Sequence, residues 1–524
     1  MMDFGNDFDF AVGNGVSFGF DIGTTNSYVA YYEHGKPKVP TDISKGIPSL
    51  AWRYKNGNEW YCDEVENKNG LLEDINNVWV SGKTKLADER VTIGGYTYSP
   101  RYLMEKMVSR IIKVGAAAVF EEAFIEMKSG VVVAGIPVRF SAAEKAEMQD
   151  ILQKCLNTKV ILVHEPVLAA VYYDYYLKKT RGSSLKNDRK VLVIDSGGGT
   201  TDIVVLTTNL NPDYLNPEPY IPHYPAGVKK AGDYIDGIME ELLLEKIRQN
   251  PGSIRMDIIE NVAHQARRRL RFEIARSVKE KLSSVDTCPV TINGLLDCGS
   301  TEVKVTRAEF EERIRPVIKE FIDIAENTYK KCGFDESTDV DFLLVGGTSN
   351  IPLFKHMLKE RFPFISDNKI CLHNPARAVA LGAAIYAQNP NIASSKVAFG
   401  YGVNTHLNGG EKEMLRVMIP AGAKLPCEVK AKFTPFEDGQ TCATFIVYEV
   451  YDADENASHI ELDRGRMTSY RITHHFNRQV PKTTEILLTL TLTEDGALNA
   501  MVEDFLPDKH VYRKTFMLNG TSSC

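Results

Sequence analysis

A duplicated α/β half-domain followed by an all-β module is the fold class predicted by this sequence, and three observations carry it. From Val191 the chain runs four apolar residues into Asp195, then Gly197, Gly198, Gly199, Thr200, Thr201 and Asp202. The stretch Phe18 to Val29 repeats the plan with Asp21, Gly23, Thr24 and Thr25, the two aspartates lying 174 residues apart. After Ala387 helical periodicity gives way to short alternating segments.

Each of the two turns reads as a buried strand, a tight glycine turn and a second, antiparallel strand. Glycines let the backbone approach a ligand closely and aim N–H groups at it, which suits a phosphate. A carboxylate at the strand end suits Mg²⁺, which keeps most of its waters and needs few protein ligands. One such turn is equally well a plain hairpin. Two copies point to one nucleotide clamped between duplicated halves, each giving a phosphate loop and an acidic metal anchor.

The bulk properties set limits on function. A chain of 524 residues holds two to four domains with sizeable cores. Its 43% hydrophobic and 25% charged residues are those of an ordinary globular protein. A net charge of −7 argues against general binding to nucleic acid or anionic membranes. Nine dispersed cysteines fit reduced thiols in a cytoplasmic protein better than a disulfide framework. No apolar run approaches the roughly 20 residues of a membrane span. Residues 1–15 lack lysine, arginine and a continuous apolar core, which excludes a secretory signal and reads as a disordered arm.

In chain order, strands are expected at Val16–Asp21, Tyr28–Tyr32 and Ile47–Trp52. Residues 60–95 show little periodicity, and Lys83 and Lys85 follow the apolar run from Val78. A helix opens at Ser99-Pro100, with Leu103, Met107 and Ile111 at helical spacing. Val131 to Ile136 reads as a buried strand, and Ser141 with Glu144 forms a capping box for a helix to Leu156. Val160–Val163 is a strand, and Glu165-Pro166 begins the next helix, proline being cheap in a first turn. Asn209 to Pro225 reads as a long hairpin or surface loop. A helix starts near Ala231, and a second, basic one covers Arg267 to Ser284 with Leu270, Ile274, Val278 and Leu282 inward. Thr306 and Glu309 cap a helix that Gly333 ends. Val340 to Pro352 is a third strand-to-glycine turn without a carboxylate, suited to a sugar or base edge, and Asn374-Pro375 precedes an Ala/Gly-rich helix. Residues 388–395 are linker-like. Residues 396–524 read as a β-sandwich with hairpin turns at Asp438-Gly439 and Asp495-Gly496.

The order of these turns resembles the ATPase core of actin, sugar kinases and the 70-kDa heat-shock (DnaK-type) chaperones, and it is most similar to the chaperones. The motifs are Asp21-Ile-Gly-Thr-Thr-Asn-Ser27, Ile136-Pro-Val-Arg-Phe140, His164-Glu-Pro166, Asp195-Ser-Gly-Gly-Gly-Thr-Thr-Asp202 and Val345-Gly-Gly-Thr-Ser-Asn-Ile-Pro352. The resemblance implies an actin-like (ribonuclease H-like) two-lobed ATPase domain over residues 16–387. It continues more weakly over Phe433-Thr434, Asp438 to Thr441 and Val447 to Glu449, implying a β-sandwich substrate-binding domain.

Carried over by position, it implies ATP or ADP with Mg²⁺, and K⁺, as cofactors. Gly23, Thr24, Thr25, Asn26 and Gly197, Gly198, Gly199, Thr200 and Thr201 would hold phosphates. Asp21, Glu165 and Asp195 would hold Mg²⁺ through water. Lys83, Glu165, Asp195 and Thr200 form the implied catalytic set, with Lys85 as the competing lysine. Gly232, Lys279, Ser283, Gly346, Gly347, Thr348 and Asn350 would line the nucleoside.

Departures accompany the resemblance. Asn350 stands where the family has an arginine packed on the adenine, and Arg276 where it has a glutamate for the ribose. The span from Lys83 to Pro137 is short, the leucine-rich linker is replaced by residues 388–395, and no helical lid follows the β segments. Two function classes are expected: an ATP-hydrolysing chaperone-like protein gripping extended polypeptide, or a nucleotide-gated scaffold for a dedicated partner. A co-chaperone or nucleotide-exchange factor would join either, without nucleic acid or membrane. A sugar kinase gives the β module no role.

Overall fold

The computed structural model describes residues 17–54, 56–67, 77–80, 82–86, 90–123, 132–156, 160–181, 189–207, 220–255, 264–293, 299–388, 400–407, 412–420, 423, 426–450, 459–461, 469–493, 498–505 and 511–517. The chain divides into two units. One comprises 1–137, 151–206 and 226–390, the other 138–150, 207–225 and 391–524.

The first unit is built on two five-strand arrays. The first uses β1 (Phe18–Asp21), β2 (Asn26–Glu33), β3 (Lys36–Lys38), β4 (Val132–Ile136) and β5 (Val160–His164) in the order β3-β2-β1-β4-β5, with Ile47–Pro48 added beside β2. The second uses β6 (Lys190–Ser196), β7 (Thr201–Thr207), β8 (Ile221–Val228), β9 (Val340–Val345) and β10 (Ile370–Cys371) in the order β8-β7-β6-β9-β10, with residues 201–206 of β7 and 226–228 of β8 inside this unit. The orders correspond strand for strand, so the duplication expected from two short turns extends to whole sheets. β1 lies parallel to β4, and β4 to β5; β6 lies parallel to β9, and β9 to β10. Asp21 opposes Gly135 and Asp195 opposes Val345, each at the last paired position of its ladder. Central strands covered on both faces need continuous apolar runs, and Val191 to Ile194, β4 and β9 are buried throughout.

Helices follow in chain order: α1 (Pro100–Ala123), α2 (Ala142–Leu156), α3 (Glu165–Arg181), α4 (Gly232–Gln249), α5 (residues 264–282), α6 (Arg307–Lys331), α7 (Pro352–Arg361) and α8 (Ala378–Tyr386). Both capping boxes form. The Glu144 N–H donates to Ser141 Oγ at 3.2 Å and the Ser141 N–H to the Glu144 carboxylate at 2.9 Å. Thr306 and Glu309 make the same exchange, and Gly333 follows α6 at φ +71°. The small residues of α8 do more than fill space. A Cβ on Gly382 would lie 1.8 Å from the Leu168 carbonyl oxygen of α3, and one on Gly19 2.3 Å from the Ala384 nitrogen of α8. Backbone therefore touches backbone where α8 meets α3 and β1.

Two expectations need correction, one is narrowed and one element is new. The basic stretch is no uniform α-helix: α5 runs as His264–Arg269, a π-helical segment Leu270–Ala275, and Arg276–Leu282. Of the two readings of residues 209–225, a long hairpin or a surface loop, the hairpin fits residues 221–225, which belong to β8, the sheet neighbour of β7. Ile47–Trp52 is interrupted, giving Ile47–Pro48 and Ala51–Arg53. A strand pair, Thr287–Ile292 with Thr301–Thr306, was not anticipated, although Cys288, Val290 and Ile292 alternate inward as a strand requires. The arm at 1–15 and the linker beyond Gln388 lie outside the described residues.

The second unit contains β11 (Gly400–Leu407), β12 (Lys412–Ile419), β13 (Cys427–Phe433), β14 (Gln440–Val450), β15 (His459–Glu461), β16 (Ser469–Val480), β17 (Glu485–Leu492), β18 (Leu498–Phe505) and β19 (Val511–Met517). They form sheets of order β15-β12-β11-β14-β16 and β13-β17-β18-β19. Val403, Val447 and Ile472 of one sheet share an apolar cluster with Leu488, Leu490 and Val502 of the other. At its edge His474 Nε2 meets Asp504 Oδ2 at 2.6 Å, joining the sheets through a buried polar pair. Gly439 takes φ +82° in its turn, while Asp495-Gly496 lies outside the described residues.

Replacing Gly382 by alanine forces a methyl group into the Leu168 carbonyl. Gly382→Ala should lower unfolding stability by about 1–3 kcal/mol, the range for overpacking, read from urea midpoints. A change within about 0.5 kcal/mol, as at an ordinary surface position, would show that the helices separate freely.

Candidate nucleotide site

Asp21 and Asp195 occupy equivalent ladder ends, so the duplicated topology delivers two carboxylates to the mouths of two glycine turns. Glu165 arrives from the start of α3, directly after β5. Lys83 arrives from a short 3₁₀ turn, Gly82–Lys85, after the strand Val78–Trp79. Lys83 is 5% exposed, and its ammonium hydrogen-bonds the Glu165 carboxylate. The Lys85 side chain lies outside the described residues.

The electrostatics follow from burial. Burial pulls the Lys83 ammonium down, but Glu165, Asp21 and Asp195 outweigh it and hold it above its ordinary value. Asp21 is pushed up to about 7 by burial and by Glu165, with Lys83 opposing. Asp195 is driven well above the usual carboxylate range by burial, then by Glu165, Asp21 and Asp202. One lysine thus faces more negative charge than it neutralises. Among the described residues no three His, Cys, Asp or Glu side chains converge as a direct metal shell.

The glycine turns interlock. A Cβ on Gly198 would lie 2.0 Å from Thr25 Oγ1, so the second turn rests against the first. The Gly197 N–H donates to the Thr200 carbonyl at 3.1 Å. The Gly197 carbonyl accepts from the Gly232 N–H at 3.1 Å and Thr348 Oγ1 at 2.7 Å, and the Gly198 carbonyl from the Asp233 N–H at 2.7 Å. Thr201 Oγ1 donates to the Lys230 carbonyl at 2.9 Å. Gly346, at φ +80°, abuts the Ser196 carbonyl and the Asp195 carboxylate, where only glycine fits. Gly347 has open space beside its Cα, and Gly197 nearly so. The glycines therefore divide into packing positions (198, 232, 346) and faces open to a ligand (197, 347).

In the first turn the Gly23 N–H donates to Ser27 Oγ at 3.2 Å, Asn26 opens β2 opposite Pro48, and Thr24 is half-buried. Gly199 and Thr200 are half-buried in the second turn. Among the residues expected at the nucleoside, Lys279 Nζ reaches Asp236 Oδ1 at 2.7 Å and the Gly232 carbonyl at 3.5 Å. Two expected residues bond locally. Ser283 Oγ donates at 3.4 Å to the Lys279 carbonyl of its own helix, and exposed Asn350 donates at 3.0 Å to the Gly347 carbonyl.

Sequence reasoning missed Asp233 and Asp236. Asp233 Oδ1 accepts from Thr25 Oγ1 and Arg276 Nη2, each at 3.2 Å, and buried Asp236 binds Arg276 and Lys279. Their signal was an i, i+3 pair of acids directly after Gly232, on one helix face.

A raised carboxyl pKa binds more protons folded than unfolded between about pH 4 and 7. That stabilisation is present at low pH and disappears as pH rises through about 7. Without nucleotide or divalent cations, Asp21→Asn should therefore be more stable than the parent at pH 8, by about 1 kcal/mol or more, and the gain should shrink at pH 5. Equal gains at both pH values, from urea midpoints, would refute the assignment.

A model of the Hsp70 protein family matches residues 73–399, more than half of the chain and a span that includes Lys83, Glu165, Asp195, Lys279 and Gly346. Hsp70 proteins are ATP-binding chaperones with a two-lobed, actin-like ATPase fold. They bind ATP or ADP with Mg²⁺, polypeptide substrates and co-chaperones. Among the described residues no helix is long and apolar enough to cross a membrane. With duplicated sheets, paired glycine turns and the family match in agreement, the chain belongs to the Hsp70 family.

Proposed function

We propose that this protein binds Mg-ATP between its duplicated halves, hydrolyses it, and holds extended polypeptide on a β-sandwich formed by its second unit. The observation that carries the reading is Lys83 buried among Glu165, Asp21 and Asp195 beside two interlocked glycine turns. The open faces of Gly197 and Gly347 admit phosphate and nucleoside, and Thr24, Thr25, Gly199 and Thr200 add donors around the phosphates. Lys83 balances charge developing on the transferred phosphoryl group, and Asp195 orients the attacking water.

The donor set fits Mg²⁺. It is all oxygen, and burial, then the neighbouring carboxylates, raise the carboxyls of Asp21 and Asp195 above their ordinary range, a cost that a cation would relieve. Asp21, Glu165 and Asp195 would hold the ion through its waters. The ion would supply charge neutralisation at the phosphates. A nucleotide-gated scaffold with little turnover has one observation in its favour: Asn350 bonds its own turn, so its side chain is not held over the base.

Asp195→Asn should fold, lose Mg²⁺ dependence and reduce single-turnover hydrolysis by about tenfold or more. Lys83→Ala should impair the same step more than Lys85→Ala. Parent-like hydrolysis in Asp195→Asn, or a larger defect in Lys85→Ala, would overturn these roles.

Residues 388–395 lack the apolar linker through which ATP signals between domains in related chaperones. Coupling requires two states of different affinity for both ligands. ATP and ADP forms should therefore differ by less than about tenfold in affinity for an extended apolar peptide, or about 1.4 kcal/mol. Fluorescence anisotropy of a labelled peptide measures this, and a hundredfold shift would show a working linker.

A further inference from the structure

Both glycine turns meet at a single residue of α4. The Asp233 N–H donates to the Gly198 carbonyl of the second turn at 2.7 Å, and its carboxylate accepts the Thr25 hydroxyl of the first at 3.2 Å. Its carbonyl accepts from Arg271 at 2.7 Å and its carboxylate from Arg276 at 3.2 Å, which ties it to α5 as well. Thr25 is fixed on two further sides. A Cβ on Gly198 would lie 2.0 Å from Thr25 Oγ1, and the Thr25 carbonyl accepts from the Ser49 N–H at 2.8 Å. The oxygen of that hydroxyl therefore has a set position, and its freedom is the rotation of the O–H.

A threonine hydroxyl carries one proton. While Asp233 accepts it, Thr25 turns lone pairs to any other neighbour, and phosphate oxygens are themselves acceptors. Bonds to an ionised acceptor are the stronger class, so the carboxylate competes well for the proton. The charges around it are matched in number. Arg276 binds both Asp233 and Asp236, and Lys279 lies on Asp236 at 2.7 Å, so two cations stand with two carboxylates. What distinguishes Asp233 from a plain helix-start acid is its hold on a hydroxyl of the first turn.

We propose that Asp233 sets the affinity of the cleft for the phosphate part of its nucleotide by competing for the Thr25 hydroxyl. The proposal rests on the nucleotide-site reading above. A phosphate beside the first turn gains this donor only when the O–H rotates away from Asp233, and so binds more weakly than the turn alone would allow. The same rotation breaks a bond between the first turn and α4, so phosphate binding exchanges against one tie between the duplicated halves. Asp233 is a positioning residue, acting on phosphate through Thr25.

Titration calorimetry on the full chain with Mg²⁺ measures ADP and adenosine, and the ratio of their affinities isolates the phosphate part. Asp233→Ala should raise that ratio about tenfold, the size of one hydrogen bond to a charged group. In a Thr25→Val background, with no hydroxyl to release, the same substitution should change the ratio by less than about twofold, the scatter expected of uncoupled sites. Thr25→Ser supplies a hydroxyl again and should restore the response. Asp233→Asn keeps a weaker, neutral acceptor and should give a smaller rise, which carries the same reading should the alanine variant not fold. Because each ratio is read within one variant, a general loss of binding does not mimic the effect. A ratio that falls or stays level in the Asp233 variants overturns the proposal. So does an equal rise with and without the Thr25 hydroxyl, which would assign the effect to charge alone. In both cases ADP binding by the parent leaves the nucleotide site standing; if the parent binds neither ADP nor ATP, both readings fall.

Discussion

Everything in the candidate site depends on one buried lysine. The Lys83 ammonium opposes the raised carboxyls of Asp21 and Asp195, and it is hydrogen-bonded to Glu165. Removing a charge from water is tolerable only where others of opposite sign surround it. The lysine and the carboxylates therefore require one another. Their elements come from four distant parts of the sequence: the end of β1, a 3₁₀ turn, the start of α3 and the end of β6. The duplicated sheets make that meeting possible, because equivalent ladder ends in two arrays of the same order present Asp21 and Asp195 alike.

Much of this was legible in the chain. The paired Asp-Gly-Thr turns announced the duplication because a buried strand, a glycine turn and a carboxylate at fixed offsets leave a local signature. The capping boxes at Ser141 and Thr306 were legible for the same reason: the interaction spans three residues. The division of the glycines was not. Gly198 and Gly347 look alike in sequence, yet one packs on Thr25 and the other faces open space, a difference set by residues up to 173 positions away.

The π-helical segment escaped notice because its apolar spacing, Leu270, Ile274, Val278 and Leu282, is what an unbroken α-helix would also show. Asp233 escaped because an acid in the first turn of a helix already has a sufficient explanation in the helix dipole, and Asp236, one turn on, because an acid on a helix ordinarily faces water. Only the fold shows that these two also gather Thr25, Arg276 and Lys279. The departures at Arg276 and Asn350 are likewise of unequal weight. Asn350 donates within its own turn, whereas Arg276 is built into a network that reaches Thr25 of the first glycine turn.

The π-helical segment has an evolutionary meaning. A π turn places one more residue in a helical turn than an α turn does, which is how a helix absorbs a single inserted codon without losing its ends. The two parts of α5 on either side can then be phased separately. Arg267 and Arg268 answer to α4 and the strand at Val78, while Arg276 and Lys279 answer to Asp236. Deleting one residue within Leu270–Ala275 would rotate everything after it by about 100° and carry Arg276 and Lys279 off the cleft wall together. The orientation of that wall is therefore inherited as a matter of length, independent of which side chains occupy it.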